Sequence, residues 1–210
     1  WSYLHLPLFA AASEASYSIV AKYRSIFSRA TLLLWGTNLQ VPTYQISARL
    51  FLRSLGIVYF IAFTSLWVQV HGLLGSNGIL PVRETMQQIS SQTGLSGIWT
   101  YPTIFWFSSS DAFLSVICLL GSILSLLSVF FPAHWLFWPI QWGCYLSFVT
   151  VGRDFLSFQW DSLLLEIGFL AILISPLIFK FRGNWIPAPS RLVSFLFRWL
   201  LFRFMFASGI

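Results

Sequence analysis

Charge is what this chain has least of. Only 9% of its 210 residues are Asp, Glu, Lys or Arg, against about 25% in an ordinary soluble domain. Six residues are acidic and two, Lys22 and Lys180, are lysines. The net charge of +6 is scattered between apolar runs, which excludes a phosphate-binding surface and with it nucleic acid as a partner. Cysteine is equally scarce. Cys118 and Cys144 both fall inside apolar runs, so they read as buried, inert thiols and not as a disulfide framework. His5, His71 and His134 lack metal-ligand spacing to one another or to the cysteines, so no metal site is expected. The glycine-rich stretch from Gly72 lacks the Lys-Ser/Thr ending of a phosphate loop. No G-x-S-x-G elbow is present, and no serine has a recognisable base. No catalytic residue and no cofactor is therefore assigned.

What the chain has is apolar length. It is 57% hydrophobic and 19% aromatic, with mean hydropathy +0.77. A span needs about 20 apolar residues, and five runs approach that length. They lie near 50–71, 112–131, 135–151, 161–179 and 192–210. The expected fold is all-α, a polytopic transmembrane helix bundle of about five spans in an integral membrane protein. Residues 1–48 differ, because the segment around Lys22, Arg24 and Arg29 is Ser-rich and basic. It reads as a leader, either a targeting segment or a cytoplasmic amphipathic arm on anionic lipid. The chain starts at Trp1 and stops at Ile210 inside an apolar run, so the domain 49–210 reads as truncated at its C-terminus.

Basic residues set the orientation. Lys22, Arg24, Arg29, Arg49 and Arg53 precede the first span, and Lys180, Arg182 and Arg191 follow the fourth. The positive-inside rule puts the N-terminus in the cytoplasm. The loop Gly72–Asp111 then faces outward. It contains a turn-rich GLLGSNGILP, a short polar helix over Pro81–Gln92 and the aromatic patch WTYPTIFWF. Trp99, Tyr101, Phe105 and Trp106 are its candidate contacts, either with a bound protein or with the membrane interface. Asp111 is placed to cap the second span. The small residues Ser115, Gly121, Ser122, Ser125 and Ser128 in that span permit close helix packing.

Apart from Arg53 at the start of the first run, four charges lie inside the apolar runs: Asp161, Glu166, Arg198 and Arg203. Each costs roughly 2.5–3.5 kcal/mol at the bilayer centre on insertion scales. Counting 1.5 Å per residue puts Glu166 and Arg203 at similar depth, so they are expected to pair. Asp161 lies nearer the outer interface, within reach of Arg153, Gln159 or His71. Arg198 lies deeper toward the cytoplasm and would snorkel. These charges read first as structural staples. The spacing of Asp161 and Glu166 puts them on different helix faces, which argues against a two-carboxylate site.

Three motifs carry a family resemblance: SLWVQVHGLLGSNGILP (Ser65–Pro81), RDFLSFQWDSLLLEIGFLAI (Arg153–Ile172) and FRWLLFRFMFASG (Phe197–Gly209). Together they resemble the N-terminal, multi-span part of the lipase maturation factor family, from about Arg49 to Ile210. The resemblance implies a membrane protein that helps secreted lipases reach an active fold. Its clients would be secreted lipases and its surroundings membrane lipid. It would reside in the endoplasmic reticulum membrane in a eukaryote, and in the inner membrane in a bacterium. Two competing functions remain at this point. The span pattern is distantly similar to vitamin K-dependent carboxylase-type membrane enzymes, although the two lysines lie outside the spans and offer no desolvated base. A transporter using the intramembrane charges is the other, although no inverted repeat is evident.

Overall fold

The computed structural model describes residues 7–35, 44–175 and 188–208. The chain divides into two compact units, Trp1–Pro42 and Thr43–Ile210. In the first, helices α1 (Pro7–Lys22) and α2 (Arg24–Trp35) are separated by a turn at Tyr23. The Lys22 ammonium sits 5.7 Å from the Tyr23 ring centroid.

The second unit holds α3 (Gln45–Leu74), α4 (Val82–Thr93), the short α5 (Gly97–Thr100), α6 (Asp111–Phe130), α7 (Phe137–Gly152), α8 (Gln159–Ile174) and α9 (Arg191–Ser208). Three single 3₁₀ turns complete it, at Gly94–Ser96, Ile104–Trp106 and Arg153–Phe155. Among the described residues every regular element is helical.

Local chemistry sets the helix ends. The α3 helix stops in a tight turn in which Gly75 N–H donates to Val70 C=O, and Ile79 and Leu80 N–H donate to the carbonyls of Gly72 and Leu73. A Cβ on Gly75 would lie 2.5 Å from the His71 carbonyl oxygen, and one on Gly78 2.9 Å from Leu73 backbone. The turn therefore requires glycine at both positions. The α6 helix starts at Ser110, whose hydroxyl accepts from Phe113 N–H. It ends before Pro132, which cannot continue it. Pro139 is tolerated in α7 because it lies in the first turn, where the missing N–H has no helical partner. The α7 helix closes at Arg153, whose φ of 39° is uncommon for a residue other than glycine.

Contacts give each helix a direction. Gly56 of α3 meets Ser125 and Val129 of α6, and Phe63 meets Gly121. His71 reaches Ser115. The numbers rise on one helix as they fall on the other, so α3 and α6 are antiparallel. Gln141 donates to Ser128, and Trp138 donates to the Pro132 carbonyl, which makes α7 antiparallel to α6. Tyr145 meets Asp161, and Trp142 donates to the Leu165 carbonyl, which reverses α8 again. Glu166 meets Arg203, while Ile174 lines one cleft with Ser194 and Phe197, so α9 reverses once more. The unit is a series of five alternating passes.

The core is aromatic where α3, α7 and α8 meet. Tyr145 is edge-on to both Tyr59 and Phe63, at 5.8 and 5.7 Å between centroids. The small-residue face of α6 packs against α3. Ser122, Ser125 and Ser128 are buried there and donate to the carbonyls of Cys118, Gly121 and Leu124 on their own helix. Such i−4 bonds satisfy hydroxyls in an apolar seam while letting backbones approach.

Among the described residues two helices, α3 and α6, are long and apolar enough to cross a membrane by length and composition. The other expected spans differ. The α7 helix has 16 residues, about 24 Å at 1.5 Å each, against a hydrocarbon core of about 30 Å. The α8 helix is described for 16 residues to Ile174; the rest of the span expected to 179, with Lys180 and Arg182, lies outside the described residues. The α9 helix carries Arg191, Arg198 and Arg203 in 18 residues.

Candidate functional site

Two kinds of feature stand out from a bundle of this composition: charges among the apolar helices, and a folded cap at the end where α3 stops and α6 begins.

Asp161 lies in the first turn of α8 and is buried, at 3% exposure. Its partner is the Tyr145 hydroxyl of α7, which donates to Oδ1 at 2.5 Å. This corrects the expectation that Arg153, Gln159 or His71 would reach it. Arg153 and Gln159 are exposed, and His71 is engaged with Ser115 at 2.8 Å. Tyr145 stands in an apolar run with nothing to separate it from the other aromatics, so its role was not visible from spacing. Gln141 is a further buried polar side chain, at the α6–α7 seam. Its amide donates to Ser128 Oγ at 2.5 Å.

Glu166, five residues on, faces away from Asp161 and forms an ion pair with Arg203 of α9. The pair is not enclosed by this chain: its side chains are 39% and 55% exposed. It lines a cleft of about 360 Å³ whose other walls are apolar, including Trp142, Phe169 and Trp199. Arg198 is not part of this pair. It lines a different cleft, of about 280 Å³, near Tyr44 and Ser47 at the start of α3. The four charges thus occupy three separate places. Among the described residues no three His, Cys, Asp or Glu side chains converge in a way that would hold a metal ion.

The cap is built on α4, whose Val82, Thr85, Met86 and Ile89 are buried. Asp111 anchors it by accepting from Ser76 N–H at 2.8 Å and from the Ser76 hydroxyl at 2.7 Å. Helix capping falls to Ser110 instead. The four aromatic candidates separate. Phe105 is core, at 2% exposure, and edge-on to Phe148 and Phe113. Its ring is not available at the surface. The turn that carries it inward is held by α7, where Ser147 Oγ accepts from Ile104 N–H at 3.0 Å. Tyr101 and Trp106 are half-buried, and the Trp106 indole donates to the Tyr101 carbonyl. Trp99 is 91% exposed. Its neighbour Ile98 is exposed, and so is Phe107 at the far end of the aromatic stretch.

An Asp111→Ala variant should loosen the Gly75–Leu80 turn without unfolding the bundle, because only the two bonds to Ser76 are lost. Limited proteolysis within that turn should speed up while the melting temperature stays nearly constant.

Among the described residues the fold is a bundle of alternating apolar helices, two of them long and apolar enough to cross a bilayer, which is the class of a membrane helix-bundle domain. Residues 46–210 match the family described as "Lipase maturation factor transmembrane domain". Curated relatives agree. Lipase maturation factor 2 of Xenopus laevis is 40% identical over 179 residues, covering 80% of this chain and 25% of the relative. Lipase maturation factor 2 of Homo sapiens is 36% identical over 181 residues, covering 79% and 26%. Lipase maturation factor 1 of Mus musculus is 36% identical over 182 residues, covering 82% and 32%. No solved structure matches. The chain belongs to the lipase maturation factor family, and it spans about a quarter to a third of the length of these relatives. Their names describe maturation of lipases, not a carboxylation or a transport step.

Proposed function

We propose that this domain is the membrane-embedded part of a maturation factor that assists, in a chaperone-like way, the folding and assembly of secreted lipases. The observation that carries this reading is the family match, which runs through all five passes of the bundle, residues 46–210. On this reading all five passes cross the membrane. The half-exposed charges on α8 and α9 act as staples, and the segment before α3 serves either as a targeting leader or as a cytoplasmic arm. What supports the orientation is the basic cluster at Arg49 and Arg53, at the α3 end opposite the cap. The cap then faces the lumen of the endoplasmic reticulum in a eukaryotic host, or the periplasmic side in a bacterial one. Trp99, with Ile98 and Phe107, is the client-contact candidate on that side.

The test is deletion of the full gene in its own host, followed by activity per mass of the secreted lipases and of an unrelated secreted enzyme. Specific activity should fall for lipases alone while lipase protein is still made. Unchanged lipase specific activity would overturn the reading. Restoring the gene with Trp99→Ser tests the contact: normal membrane levels with reduced lipase activity are expected, and full rescue would remove Trp99 from the site.

A further inference from the structure

A third cleft opens between α3 and α8, with a volume of about 450 Å³. One end is apolar, with Val58 and Ile61 on its wall. The other end holds Ser65, Gln69, Tyr145 and Asp161. Asp161 is the odd member. Its Oδ1 takes the Tyr145 hydrogen, but Oδ2 is buried and has no hydrogen-bond partner among the described residues. The cleft cannot supply one easily. Gln69 donates to Ser65 within its own helix, at 3.3 and 3.4 Å, and among the described residues no Lys, Arg or His lines the cleft. A buried carboxylate without countercharge is expensive.

A group that enters from outside, carries positive charge and presents N–H donors would satisfy it. The walls say what else it carries. Val58 and Ile61 are exposed on α3, one of the two helices long enough to cross the membrane, so this end opens toward hydrocarbon. At the polar end Phe158 and Trp160 stack, exposed, at 4.6 Å, as aromatics do at interfacial depth. A chain on the apolar wall and a cation at the interface describe an amphiphile.

We propose that this cleft binds a lipid whose headgroup ends in a primary ammonium. The ammonium sits on Asp161 Oδ2 and the lipid chain lies along Val58 and Ile61. The proposal rests on the membrane-spanning placement of α3 and α8 but not on the lipase role.

The experiment uses the full-length protein equilibrated with vesicles of equal parts phosphatidylethanolamine, phosphatidylcholine and phosphatidylglycerol. Retained lipids are then counted by native mass spectrometry. Phosphatidylcholine is the decisive comparator, because its nitrogen is charged but has no N–H. A charge-assisted hydrogen bond predicts about tenfold enrichment of phosphatidylethanolamine over phosphatidylcholine. Asp161→Asn should abolish the preference. Ala62→Phe, which fills the cleft wall but leaves the carboxylate, should lower retention by a similar factor; it decides the matter if the Asn variant does not fold. Equal retention of the two lipids, or none, overturns the proposal and leaves a buried water as the partner of Oδ2. Displacement by free ethanolamine at millimolar concentration also overturns it, since the apolar wall would then contribute nothing. A glycosylation acceptor placed in the cap reports orientation separately. Correct glycosylation without lipid preference would therefore be a failure of this site and not of the topology.

Discussion

Replacing Glu166 by Gln should lower the folded yield of this domain, and replacing Arg203 by Met in the same chain should restore part of it. The reason is the surroundings of the pair more than the pair itself. Its two side chains are 39% and 55% exposed from this chain, between Trp142, Phe169 and Trp199. In water, an ion pair so exposed contributes about 0–1 kcal/mol, and neither single change would matter much. In hydrocarbon, with α8 and α9 crossing as proposed, each single change leaves an uncompensated charge costing roughly 2.5–3.5 kcal/mol. That is a large share of the about 5–15 kcal/mol that holds a folded protein together. Removing both charges removes the penalty and the attraction together, so the double variant should sit between the singles and the parent. The yield of monodisperse protein from membranes, with the thermal midpoint in detergent, reads all four chains. Additive losses would show that the contact carries no coupling. Absence of any loss would place the pair in water and count against α8 and α9 as spans.

The pass structure of this fold is legible in the sequence because apolar run length and Pro, Gly and Ser punctuation are local signals. Ser110, Pro132 and the Gly75–Gly78 turn bound their helices for reasons that need no tertiary contact. The depth at which Glu166 meets Arg203 is also countable, since helical rise is constant. What is not local was not legible. Asp161 takes its partner from α7, and the rotation of α7 about its axis decides that Tyr145 and not an arginine arrives. Aromatic composition alone does not separate Phe105, drawn inward as its turn bonds to Ser147, from Trp99, left outside. The stretch WTYPTIFWF has no periodicity from which burial could be read. The run expected over 135–151 is itself short for a span, and the helix it forms, Phe137–Gly152, has 16 residues, with Trp135 and Leu136 in the turn before it.

The same substitution should have opposite signs at two glycines of this bundle. Gly121 lies in α6 directly against α3. A Cβ there would fall 2.5 Å from two atoms of the Phe63 ring. Phe63 has no room to yield, because it is fully buried, stacked on Tyr59 at 6.1 Å and edge-on to Tyr145. The α6 backbone must move instead, and the buried serines that follow on the same seam move with it. Overpacking of this kind costs about 1–3 kcal/mol for an added methyl, and more for a branched side chain. The gain of about 1 kcal/mol in helix propensity on leaving glycine opposes only part of that cost. Gly121→Ala should therefore destabilise, and Gly121→Val should do so severely enough to deplete folded protein. At Gly143 of α7 nothing lies within 4 Å of the added atom. There Gly143→Ala keeps only the propensity gain and should be neutral or stabilising by up to about 1 kcal/mol. Adding Phe63→Leu to Gly121→Ala should recover much of the loss, since the smaller, more flexible side chain can turn away from the new methyl. Thermal unfolding of the four variants in one detergent measures the set. Equal midpoints for Gly121→Ala and Gly143→Ala would mean that α3 and α6 do not meet at Phe63, and the small-residue seam would have to be placed elsewhere.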